Sequence, residues 1–261
     1  MSHHQPWPYV RVLAHRGGGA LAPENTITAI EVGLQHGFRA IEFDAMLAAD
    51  AIPVLIHDAT LERTTSGTGA VASHTAAELA RLDAGAWMAS RFAGTRLPSL
   101  TDAITYCRSQ SIWINIEIKP SPGAESATGA EVARVAAHGY ADLVRPGGDS
   151  AGNVEPRAPL MSSFAPDALA AARSAAPDLP RGLLVGRVPA DWQDRLEALG
   201  CVSLHCDHKQ LTRVLARGVK DAGYWLFCYT VNDPQRAREL FDWGVDAFCT
   251  DRIDLIPASF T

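Results

Sequence analysis

Two histidines, three carboxylates, an arginine and a lysine fall at the ends of short apolar runs in this 261-residue chain. Together they are what a metal-assisted attack on a phosphate ester requires. His15-Arg16 closes the run 9–14, Glu42 and Asp44 end the next, His57-Asp58 follows 53–56, and Glu117 and Lys119 end 112–118. Glu42 and Asp44 are two apart, so a strand points both to one face. The same alternation puts Asn115, Glu117 and Lys119 together, opposite Ile114, Ile116 and Ile118. Three carboxylates without cysteine form a hard-oxygen set, suited to Mg²⁺ or Ca²⁺ better than Zn²⁺. A free imidazole titrates near about pH 6.5, so His15 and His57 can each carry a proton. One would take it from the nucleophile and the other would give one to the departing alcohol. Arg16 offers a bidentate fork to non-bridging phosphate oxygens, and Lys119 adds a point charge. The carboxylates could instead pair with Arg16 and Lys119 as a purely structural network, since buried charges need partners or metal. Their common place at strand ends favours chemistry.

Short apolar runs separated by helical segments read as buried strands of a parallel sheet covered on both faces. Strands are expected at 10–14, 40–44, 53–57, 112–118, 158–163, 182–185, 201–206, 224–231 and 246–249. A (β/α)8 TIM barrel needs eight, and in that fold chemistry gathers at the C-terminal ends of the strands. The surplus lies near 48–53, where the connection is too short for a helical crossover and a hairpin-like irregularity is expected.

Thr26 precedes Ile27, Ile30 and Leu34 at helical spacing, with Gly37 after them. Ser99 with Asp102, and Thr75 with Glu78, are capping-box signals. Leu211, Val214, Leu215, Gly218, Val219 and Ala222 are read as one face of a helix. Asp233-Pro234 places a cap and an N1 proline before another. The chain is expected to be one catalytic domain over 1–261, with a small insertion at 59–98 that breaks the strand–helix rhythm and carries Trp87 and Phe92. Following a strand end, the insertion would lie over the barrel mouth as a cap; a surface excursion with its own minor core is the other reading. The stretch 145–159, rich in Gly and Pro, is expected to be a loop.

The formal net charge is -6 and no basic patch appears, which argues against a nucleic-acid partner. No apolar run approaches the roughly 20 residues that span a bilayer, so no membrane insertion is expected and the reading is cytoplasmic. The five cysteines form no Cys-x-x-Cys pair and are read as small buried hydrophobes. His3 and His4 are read as solvated. Ser162, Ser163, Phe164, His205 and the run Tyr229 to Asn232 also end strands. Phe164, Tyr229 and Asn232 are candidate walls of an alcohol pocket, whereas His205 and His208 are read as structural or surface residues.

These motifs resemble the glycerophosphodiester phosphodiesterase family: His15-Arg16-Gly17, Pro23-Glu24-Asn25-Thr26, Glu42-Phe43-Asp44, His57-Asp58, Leu61-Glu62-Arg63-Thr64, Ile116-Glu117-Ile118-Lys119 and Thr230-Val231-Asn232. They run in order over nearly the whole chain. Leu179-Pro180-Arg181-Gly182 and Thr250-Asp251 are similar to cytosolic bacterial members associated with the Ugp glycerol-3-phosphate uptake system. The resemblance implies a phospholipase-C-like barrel and one divalent cation held by Glu42, Asp44 and Glu117. It also implies His15 and His57 as acid and base, and hydrolysis of a glycerophosphodiester to an alcohol and glycerol 3-phosphate. Ala45, Ala48 and Ala51 stand where the family commonly has valine, threonine and glycine, and Tyr229 replaces a frequent tryptophan. A related enzyme acting on lysophospholipids and a non-catalytic barrel that binds phosphorylated metabolites are the competing readings. The nucleophile, water or a neighbouring substrate hydroxyl, the identity of the acid and the oligomeric state are left open.

Overall fold

The computed structural model describes residues 6–143 and 158–261. His3, His4 and all but the last two residues of the loop expected at 145–159 lie outside the described residues. Eight parallel strands close into a barrel: β1 (Val12–Ala14), β2 (Ala40–Leu47), β4 (Trp113–Ile118), β5 (Leu160–Ser163), β6 (Arg181–Val185), β7 (Ser203–Asp207), β8 (Trp225–Tyr229) and β9 (Ala247–Thr250). β1 pairs with both β9 and β2, which completes the ring. The surplus strand, β3 (Pro53–Leu55), runs antiparallel to the far end of β2. His57 therefore follows a hairpin arm and not a barrel strand, unlike the other residues of the set.

Helices α1 (Ile27–Gln35), α3 (Leu100–Ser109), α4 (Glu125–Gly139), α5 (Pro166–Ala175), α6 (Trp192–Leu199), α7 (Arg213–Asp221) and α8 (Pro234–Asp242) surround the sheet. Ile41, Phe43, Ile114, Ile116, Leu204 and Phe248 belong to the main core, which takes in the helices as well as the strands. Both faces of the strands are covered, which suits their largely apolar sequences. The cap signals hold: Thr26 Oγ1 accepts from the Ala29 amide, Ser99 and Asp102 form a capping box, and Pro234 opens α8 after Asp233. The expected face of α7 is corrected. Val214 and Gly218 are exposed, while Ala216 and Val219 are buried. Thr212 caps the helix, so Leu211 precedes it and cannot set the phase of its apolar stripe.

Tracing the ladder partners once around the barrel returns to β2 eight residues earlier. Inward side chains then stack in layers drawn from alternate strands. From below upward these are Ala40, Leu160, Ser203 and Ala247; then Leu13, Asn115, Gly182 and Phe227; then Glu42, Ser162, His205 and Cys249; then His15, Glu117, Leu184 and Tyr229. Beneath them aromatic rings pack closely, Tyr9 stacking on Trp113 at 4.1 Å and Trp7 meeting Trp225 edge-on at 5.4 Å. The interior passes from apolar at this end to charged at the strand C-terminal end.

The β2–β3 turn carries hydrogen bonds from Ala48 N to Ile52 O and from Ala51 N to Ala48 O, and Ala51 is left-handed at φ +60°. Residues 59–98 pack on this hairpin. Their Leu61, Val71, Leu79, Ala84 and Leu97 form a second core with Met46, Ala48, Val54 and Ile56. The short helix α2 (Ala76–Leu79) carries the expected capping box. No helix among the described residues is long and apolar enough to cross a membrane.

Candidate active site

Strand alternation and barrel closure bring Glu42, Asp44 and Glu117 together, one oxygen of each within 4.8 Å of the others. Glu42 is 4% and Asp44 1% exposed, and Glu42 Oε1 and Asp44 Oδ1 have no hydrogen-bond partner among the described residues. Asn25 holds Asp44 reciprocally: its amide donates to Asp44 Oδ2 at 2.8 Å, and its carbonyl accepts from the Asp44 amide at 3.0 Å. This geometry puts Asn25 at φ +59°, a left-handed position that asparagine tolerates. Burial, then the charge of Asp44, pushes Glu42 up to about 8 and Glu117 up to about 7. Burial opposes charge on Asp44 too, but Arg16, His57, Lys119 and Asn25 outweigh it and hold that carboxyl low. Three clustered acids that repel one another, two of them fully buried with an oxygen lacking a donor among the described residues, fit a hard divalent cation.

Both histidines give Nδ1 to a carboxylate and turn Nε2 inward. His15 Nδ1 is 2.6 Å from Asp251 Oδ1, and its Nε2 lies 3.7 Å from Glu42. Burial works against its charge, but the Asp251 hydrogen bond and Glu42 prevail and the pKa rises. His57 Nδ1 is 2.6 Å from Asp58 Oδ1, and its Nε2 lies 2.7 Å from Lys119 Nζ. Here burial prevails over Asp44 and the pKa falls. Such pairing fixes the tautomer and orients the ring.

Arg16 is engaged with carboxylates, its Nη1 2.7 Å from Glu24 and its Nε 3.3 Å from Asp44. Its backbone is left-handed at φ +51°, an uncommon conformation for a residue with a side chain. Lys119 Nζ lies 3.1 Å from Glu117 and 3.8 Å from Asp44. Arg63, from the 59–98 insertion, bridges Glu24 at 2.7 Å and Asp58 at 2.5 Å.

All seven residues but Asp44 line a cavity of about 350 Å³ at the barrel mouth, and Asp44 is buried behind Arg16 and Lys119. Ser162, Phe164, His205, Tyr229 and Thr230 also line it; Phe164 meets Tyr229 edge-on at 5.7 Å. Asn232 is not among the residues lining the cavity, and its Nδ2 donates to Asp251 Oδ2 at 2.9 Å. Ser163 donates to the Ile118 carbonyl, and His208 lies outside the lining. No residue of 59–98 is among the lining residues. Asp251, Asn25, Glu24 and Arg63 were legible only as members of motifs, without roles. Another groove, about 590 Å³ between α3 and α4, carries Arg108 and Arg134, which pair with Asp142 and Glu131.

Residues 15–255 match the glycerophosphoryl diester phosphodiesterase family. The chain is 33% identical to the glycerophosphodiester phosphodiesterase of Caldanaerobacter subterraneus over 92% of its own length and 93% of that protein. In fold it is similar to an Oleispira antarctica phosphodiesterase solved with the product sn-glycerol-3-phosphate, at a TM-score of 0.85 and 34% identity, covering 96% of this chain and 94% of that one. A glycerophosphodiester phosphodiesterase from Agrobacterium tumefaciens superposes with a TM-score of 0.75 at 27% identity, over 95% of this chain and 98% of that one.

Proposed function

The chain belongs to the glycerophosphoryl diester phosphodiesterase family, and from that premise we propose that its barrel mouth hydrolyses glycerophosphocholine, glycerophosphoethanolamine and similar diesters to an alcohol and sn-glycerol 3-phosphate. The observation that carries this reading is the acidic trio flanked by two carboxylate-backed histidines. Glu42, Asp44 and Glu117 would hold one divalent cation, Mg²⁺ or Ca²⁺, which would offset their repulsion and supply Lewis-acid stabilisation of charge on the phosphoryl group.

Arg16 and Lys119 line the same cavity and orient the non-bridging phosphate oxygens. Of His15 and His57, one accepts the nucleophile's proton at Nε2 and the other delivers a proton to the leaving oxygen. Asp251 and Asp58 hold the two rings in the tautomer that leaves Nε2 facing the substrate. Phe164 and Tyr229 form an apolar wall beside the alcohol. The 59–98 insertion serves the single barrel domain through Arg63, which ties Asp58 to Glu24. We place this work in the cytoplasm; all five cysteines are free and buried, as a reducing compartment allows.

The test is a panel of water-soluble and acyl-bearing diesters assayed for sn-glycerol 3-phosphate. Release from glycerophosphocholine well above that from lysophospholipids is expected. Faster cleavage of acyl-bearing diesters would move the substrate class, and binding without turnover under every divalent ion would remove the hydrolase reading.

A further inference from the structure

His205 lies deep in this cavity, in the barrel layer that also holds Glu42, Ser162 and Cys249, and is completely buried. Among the described residues neither ring nitrogen has a hydrogen-bond partner, and Asn115 Oδ1 and Ser203 Oγ in the layers beneath also lack one. A buried polar atom left unpaired costs free energy, whereas an apolar side chain would fill this place without that cost. The surroundings fit the ring closely. Phe227 stacks on it at 4.6 Å and 23° between planes, and Gly182 leaves the space it needs: a Cβ there would lie 2.5 Å from His205 Nε2. Asn115 Nδ2 donates to Ser162 Oγ at 3.2 Å on the neighbouring strands.

A neutral imidazole presents one N–H donor and one lone-pair acceptor. A hydroxyl can answer either, being both donor and acceptor. A phosphate oxygen, lacking a proton to give, would satisfy only the N–H edge. An alkyl chain satisfies neither. Substrates of the class proposed above share a glycerol phosphate and differ in the alcohol, so the closed floor suits the shared part and the open mouth the variable one. The phosphate is accounted for by Arg16 and Lys119 nearer the rim, which leaves the free hydroxyls of the polyol to be matched.

We propose that His205, stacked on Phe227 and seated over Gly182, is a specificity-determining residue that hydrogen-bonds a free hydroxyl of the substrate's glycerol moiety at the cavity floor. The inference rests on the phosphodiesterase reading and adds a residue for which the acid–base chemistry has no use. Burial supports it, pushing the His205 imidazole down to about 3 so that the ring stays neutral.

The test compares inhibition of glycerophosphocholine turnover by sn-glycerol 3-phosphate with that by 1-propyl phosphate, which keeps the phosphate and lacks both hydroxyls. The wild type should prefer glycerol 3-phosphate. His205→Phe, which keeps a stackable ring, should shrink that preference by roughly tenfold, and His205→Gln, which keeps a donor and an acceptor, should restore part of it. An unaltered preference in His205→Phe, or equal weakening of both inhibitors, would make His205 a packing residue and overturn the proposal. If the variants fail to melt cooperatively, ¹⁵N spectra of the wild-type imidazoles decide. The His205 resonances should move with glycerol 3-phosphate and stay with propyl phosphate, and identical responses would refute the assignment. Absence of wild-type turnover would be a different outcome, removing the phosphodiesterase reading on which this one stands.

Discussion

His15 and His57 each meet a carboxylate at 2.6 Å, yet the two carboxylates are anchored by different physical means. On the barrel side, Asp251 follows β9 and His15 follows β1, the strands that close the ring. Asn232 clasps Asp251 twice, at 2.9 Å to its carboxylate and 2.8 Å to its amide, and the His15 amide donates to the Thr250 carbonyl. On the hairpin side, Asp58 follows a short antiparallel arm and is tied down by Arg63, whose side chain is 45% exposed. The wall positions one histidine through the backbone ladder. The excursion beyond the wall substitutes ion pairs, which solvent and salt weaken.

The largest expected effect falls on both sides alike. His15→Ala and His57→Ala should each lower kcat by about 10²- to 10⁴-fold with the melting transition unchanged. A p-nitrophenyl diester sharpens the result, because p-nitrophenolate departs without protonation. The variant lacking the acid should regain most of its lost rate on that substrate and the variant lacking the base should not. Equal recovery in both would break the paired roles.

The difference between the regions should emerge in the carboxylates. Asp251→Asn is expected to cost roughly a hundredfold in kcat and Asp58→Asn roughly tenfold. Arg63→Ala should cost a few-fold and remove salt sensitivity from the hairpin side, read as kcat between about 0.05 and 0.5 M salt. A wild-type rate indifferent to salt, or a larger loss for Asp58→Asn than for Asp251→Asn, would reverse the comparison.

A pH effect belongs to the wall. In the metal-free fold Glu42 is held up at about 8 and Glu117 at about 7, against an ordinary value of 4.5. The folded chain thus keeps protons that the unfolded chain has released, and stability present at low pH is lost as pH rises from about 4.5 through about 8. Tm of the chelated protein should fall across that window, and Mg²⁺ or Ca²⁺ should raise it more at pH 8 than at pH 5. A flat profile, or one unchanged in Glu117→Gln, would contradict the repulsion.

The smallest effect returns to the hairpin. Ala51→Gly relieves a left-handed alanine and should add about 1 kcal/mol, roughly 2–4 °C in Tm. A lower Tm would mean that the turn is not strained at Ala51.

The same division governs what could be read before the fold was known. The barrel strands are buried runs whose alternation places Glu42, Asp44 and Glu117, and all nine strand positions were legible from it. His57 belonged to the apparent pattern but sits on an arm of opposite direction, because an apolar run does not state its pairing. Asp251 had no visible role, since its contact with His15 spans 236 residues and exists only once β9 meets β1. Asn25 was masked by its neighbour: Thr26 caps α1, and that local explanation hid the clasp on Asp44. The α7 face failed for a related reason, as a periodic pattern extended one residue past the true cap shifts its phase.

The most direct measurement is release of sn-glycerol 3-phosphate from glycerophosphocholine by protein stripped with chelator and then given Mg²⁺ or Ca²⁺. Turnover should vanish on stripping and return with the added ion in the wild type, and fail to return in Glu117→Gln at the same metal concentration. Undiminished release in excess chelator would contradict the assignment of Glu42, Asp44 and Glu117 as the metal-holding centre of the site.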